Sequence, residues 1–145
     1  MSGTASRTES VPRPELLKEL ERALAEGKEV VFKPSGRSML PFIREGDGVA
    51  LRRGPLLRPG SVVLARCEDG RLVLHRILKI KCSELTLMGD GNLRGREKAR
   101  RQSVLGVAVA VEREGRRLPL PRRRLWVWLL PLRRPLLALW KATRK

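Results

Sequence analysis

Tyrosine is absent from this 145-residue sequence, histidine occurs once, and cysteine twice. Cys67 and Cys82 stand fifteen positions apart, which fits neither the paired spacing of zinc sites nor a redox Cys-x-x-Cys. One pair is also too few for a disulfide scaffold, so both are expected as buried free thiols and no metal is expected. Aromatic residues are scarce: Phe32, Phe42, Trp126, Trp128 and Trp140 are the whole set, which leaves a core of Leu and Val. There is no apolar run of about 18 residues to cross a bilayer, and Met1 to Ser10 has no apolar stretch of the secretory kind. The expected location is therefore the cytoplasmic side.

Acidic residues are also few. Fifteen Asp and Glu against 32 Lys and Arg give a net charge of +17, more than solubility needs, which calls for a polyanionic neighbour such as nucleic acid or an acidic lipid surface. Between Gly115 and Lys145 there are ten basic residues and no acidic one. A second basic cluster is Arg94, Arg96, Lys98, Arg100 and Arg101. The length suits one domain, and an apolar fraction of 41% excludes wholesale disorder.

The pattern divides the chain into 1–28, a polar arm and short helix; 29–120, a β domain; and 121–145, a basic amphipathic segment. Pro14 to Glu26 reads as the helix, with Pro14 in the first turn, Leu16, Leu17, Leu20 and Leu24 as one stripe, and Gly27 as its stop. Strand signals follow at Glu29–Lys33, Gly48–Arg52, Ser61–Arg66, Leu72–Ile80, Glu84–Met88 and Val104–Arg113, with turn residues between them. Glu68-Asp69-Gly70 marks a hairpin whose Asp-Gly supplies positive φ angles. A basic loop is expected up to Gln102, then a strand with Val107, Val109 and Val111 on one face and Ala108 and Ala110 on the other.

Four positions could carry chemistry. Ser38 sits in a turn after a strand, beside a glycine that permits close backbone approach. His75 shares a strand face with Val73 and Ile77. Asp47 and Asp90 each lie between glycines, where an aspartate ordinarily bonds nearby backbone. Each alone is ordinary as a structural residue. Together, Ser, His and Asp form a testable constellation, because a nucleophile needs a base in reach and a His base gains from a carboxylate that fixes its tautomer.

The order of segments resembles the signal peptidase I and LexA-like serine peptidase superfamily. Gly36-Arg37-Ser38-Met39-Leu40-Pro41 is similar to its nucleophile box, Gly-x-Ser-Met-x-Pro, and Glu45-Gly46-Asp47-Gly48-Val49 to its Gly-Asp-x-Val strand entry. Pro59-Gly60-Ser61-Val62-Val63-Leu64 is similar to Pro-Gly-Asp-x-Val-Val, with Ser61 and Leu64 as departures. Val73-Leu74-His75-Arg76-Ile77 and the Gly-Asp-x-Asn box at Gly89-Asp90-Gly91-Asn92 complete a resemblance running from about Val30 to Val111. Most bacterial signal peptidases have Lys where this chain has His75, whereas the archaeal and endoplasmic-reticulum branch has His followed by Arg.

The resemblance implies a mainly β fold and a serine endopeptidase of the Ser-His branch that needs no cofactor. Ser38 would be the nucleophile, His75 the general base, and Asp90 the best-matched acidic partner. The third member stays open between Asp90 and another acid, since Leu93-Arg94-Gly95-Arg96 intervenes before Glu97. Gly36 stands where some bacterial members have an oxyanion-assisting Ser, which leaves the task to backbone N–H groups around Gly36 and Ser38. The substrate would be a peptide or protein segment bound extended at a strand edge. The family's N-terminal membrane anchor has no counterpart here, and one helix is too little for a helix-turn-helix domain. The alternative is a non-catalytic LexA-like or basic binding module.

The C-terminal segment suits the anchoring role instead. Short helices separated by Pro121, Pro131 and Pro135, with Trp126, Trp128 and Trp140 beside Arg122, Arg123, Arg124, Arg133 and Arg134, fit an anionic membrane interface. Nucleic acid is the lesser alternative partner, and packing against the β domain is the structural one.

Overall fold

The structure, a computed structural model, describes residues 14–34, 39, 42–89 and 95–120. Helix α1 spans Pro14–Ala25. Leu20 and Leu24 lie buried, each contributing roughly 1.5–3 kcal/mol on leaving water. Gly27, at φ 85°, turns the chain back, and the Lys28 N–H donates to the Ala23 carbonyl at 3.0 Å, closing the helix C-terminus.

Among the described residues seven strands follow: β1 (Val30–Phe32), β2 (Gly48–Arg52), β3 (Val62–Cys67), β4 (Leu72–Lys81), β5 (Glu84–Met88), β6 (Glu97–Arg113) and β7 (Arg116–Leu118). All pairings are antiparallel, in the order β1-β2-β6-β3-β4-β5, with β7 beside β6. The long β6 also pairs with β5 through its first residues, so β3, β4, β5 and β6 close on themselves as a small ring. Among the described residues the fold is mainly β with one helix, as the sequence suggests for this part of the chain, and the expected C-terminal helices lie outside the described residues.

Two apolar clusters follow from this closure. Val63, Val73, Ile77, Leu85, Leu87 and Ala99 fill one side of the ring strands. On the opposite pleat, Val62, Leu64, Leu72 and Leu74 join Leu20, Leu24, Phe32, Met39 and Ile43 in the other cluster.

The structure corrects the expected picture in five places. β6 begins at Glu97, not Val104, so the expected basic loop is strand from Glu97 to Gln102; Lys98 and Arg100 alternate outward with Glu97 and Ala99 inward. β7 is an addition to the expected strands: Glu114 and Gly115, at φ 53° and 77°, form a two-residue hairpin that returns the chain along β6. A register shift between Ala50 and Leu51 skips Val109, so Val107 and Val111 fall in different clusters instead of sharing a face. In the Glu68-Asp69-Gly70 turn only Gly70 has positive φ, 91°. Cys67 is buried as expected, but Cys82 is exposed at the β4–β5 hairpin tip.

Candidate active site

The ring register brings one sequence-predicted residue and one unanticipated residue together. Leu87 of β5 pairs with Ile77 of β4 on one side and Glu97 of β6 on the other. His75 lies two residues before Ile77 on the same pleat, so Glu97 reaches it across β5. His75 Nδ1 and Glu97 Oε1 are 2.7 Å apart, and the two side chains are 1% and 8% exposed. The other carboxylate oxygen accepts from Arg71 at 3.4 Å, and Arg71 also pairs with Asp69 at 2.9 Å.

Burial pushes the Glu97 carboxyl up, but the His75 hydrogen bond and charge, with Arg71, more than offset it and hold the group below its ordinary carboxylate value. An ionised carboxylate can only accept, so it requires N–H at Nδ1. For a neutral imidazole this leaves Nε2 as the acceptor. Nε2 is buried and has no hydrogen-bond partner among the described residues. A buried polar atom left in this way is a site for a further group.

The segment that follows Ser38 in sequence, and Arg76 beside His75, are firmly held. Met39 is buried at 4%, and its carbonyl accepts from the Phe42 and Ile43 N–H groups at 3.1 and 3.0 Å. Asp47 is a buried clamp: Oδ2 accepts from the Arg44 N–H and from Arg113 Nη2, both at 2.8 Å, and Oδ1 accepts from Arg113 Nε at 2.9 Å. Burial raises the Asp47 pKa, but the hydrogen bonds from Arg113 and Arg44 lower it by more, to a net value below the usual one. Arg76, beside His75, is buried, donates to the Gly60 carbonyl at 2.8 Å and lies 5.7 Å from the Phe42 ring centroid.

Ser38, Gly36 and Asp90 lie outside the described residues, as do Arg122, Arg123, Arg124, Trp126, Trp128, Arg133, Arg134 and Trp140. Glu97 escapes the sequence reading because a four-residue stretch with two arginines separates it from the Gly-Asp-x-Asn box. The available signal is the alternation Glu97-Lys98-Ala99-Arg100, which puts the acid on the apolar side of a strand. Among the described residues, no group of His, Cys, Asp and Glu is placed to hold a metal ion, and no helix is long and apolar enough to cross a membrane.

A mainly β, antiparallel fold with a carboxylate-held imidazole has the framework of a serine-peptidase-like protein. Residues 5–109 match the family described as peptidase S24-like, and the chain belongs to that family. No curated protein matches the chain.

Proposed function

We propose that the protein is a serine endopeptidase in which Ser38 is the nucleophile, His75 the general base and Glu97 the group that orients the base. The observation that carries this reading is the buried imidazole with Glu97 on Nδ1 and an Nε2 that has no partner among the described residues. Family membership supports the serine-peptidase-like chemistry. His75 Nε2 takes the Ser38 proton as the hydroxyl attacks a peptide carbonyl. Glu97 steadies the imidazolium, which returns its proton to the leaving amine, and water then hydrolyses the acyl-enzyme. Backbone N–H groups around Gly36 and Ser38 stabilise the oxyanion. Asp90 is the competing acidic partner. The substrate is a peptide or protein segment, and the segment 121–145 holds the enzyme at an anionic membrane surface.

The test is turnover of a peptide library. Ser38→Ala and His75→Ala should each abolish cleavage, with the double variant little worse than either, because members of one catalytic unit are not additive. Full cleavage by His75→Ala overturns the proposed base.

A further inference from the structure

A cleft of about 530 Å³ opens between α1 and the middle of β6, away from the His75–Glu97 pair. Lys18 and Arg22, one turn apart on α1, face it, with Arg53 beyond the end of β2 and Arg66 on β3. Among the described residues, Glu21 is the one acid in the lining, against four cations. Lys18, Arg22 and Arg53 make no ion pair or side-chain hydrogen bond with any described residue, and Arg66 donates only to the Gly70 carbonyl at 3.2 Å. The cleft beside β1 and β7 differs: there Lys33, Arg116 and Arg117 are balanced by Glu112 and Glu114, and Arg117 is tied to Glu29 at 2.7 Å.

The cleft floor is an interruption of the sheet. Ala65 pairs with Val104 and Cys67 with Ala99, so β6 carries surplus residues opposite Arg66, and Arg101, Gln102 and Ser103 have no register partner on β3 or β5. Bulges of this kind re-aim side chains and backbone groups toward a site. Gln102 and Ser103 line the cleft and add polar groups to the four cations.

We propose that this cleft binds a compact polyphosphate anion. Several cations with no ion pair among the described residues, converging on a recess, suit closely spaced phosphate oxyanions, which accept charge-assisted hydrogen bonds from guanidinium groups. A recess fits a compact group better than a flat lipid surface, and among the described residues no aromatic lines it on which a base could stack. The phosphates are therefore the recognised part, whether free or carried by a nucleotide.

Titration calorimetry of the full chain at low ionic strength, with inorganic triphosphate, ATP, monophosphate and a short DNA duplex, tests this. Triphosphate and ATP should bind with similar affinity and monophosphate much more weakly. Arg22→Ala/Arg66→Ala should weaken triphosphate at least about tenfold, while Lys79→Ala/Lys81→Ala, removing equal charge from positions outside the cleft, should change it less than about twofold. Circular dichroism checks that both variants fold. Absence of triphosphate binding, equal weakening by the two double variants, or binding of DNA alone would overturn the proposal.

Discussion

Replacing Glu97 by Gln tests the least expected part of the site. The change keeps the size of the side chain but removes its charge, and an amide can turn its NH₂ toward Nδ1, stabilising the tautomer whose proton sits on Nε2. That tautomer cannot accept from a serine hydroxyl. The wild-type contact is 2.7 Å between side chains 1% and 8% exposed, so water cannot easily replace the carboxylate. Removing the carboxylate from a Ser-His-Asp triad costs about 10⁴-fold, and a general-base contribution is about 10²–10⁴-fold, so a loss in that range, or roughly 3–5 kcal/mol of barrier, is expected. A fluorophosphonate probe reads the effect without a known substrate, as the rate at which Ser38 is labelled. Asp90→Asn is the matched control and should label nearly as fast as wild type. Labelling of Glu97→Gln within about twofold of wild type, with Asp90→Asn slow, would show that Glu97 does not orient the base and return the role to Asp90.

The rest of the molecule fixes three further outcomes. Asp47→Asn loses the paired bonds to Arg113 and should cost about 2–3 kcal/mol in urea unfolding; because the folded Asp47 pKa is depressed, this stabilisation is present above the ordinary carboxylate value and fades as pH falls through the folded one, so the two proteins should converge in acid. Gly106→Ala brings a Cβ to 3.2 Å from Leu24 Cδ1 and 3.4 Å from the Arg52 carbonyl, and should destabilise the α1 packing by about 1–2 kcal/mol, measured by thermal unfolding. Deleting 121–145 should abolish co-flotation with anionic vesicles, and Trp126, Trp128 and Trp140 to Ala should weaken lipid binding more than DNA binding; unchanged flotation contradicts the anchor.

The parts of the fold legible in the sequence are those set by local pattern. The Leu stripe of α1 and the bounds of β2 and β5 follow from periodicity and from glycine or turn residues at the ends. The start of β6 is illegible because Glu97 to Arg101 is highly charged, and its strand character comes from pairing with β5. The bulge at Val109 likewise depends on how β2 meets β6, which no alternation within β6 reveals. At the site, His75 is legible from its strand position and from motif order. Its partner is not, since Glu97 reaches it only through the shared register of Leu87, a tertiary relation between three strands.

Whether Ser38 and His75 form one catalytic unit is read most directly from the Ser38 Oγ to His75 Nε2 distance in a crystal structure. A catalytic unit requires about 2.6–3.2 Å, with Glu97 still on Nδ1. A structure in which Nε2 is bonded to another protein group and Ser38 Oγ points away from the imidazole would contradict it.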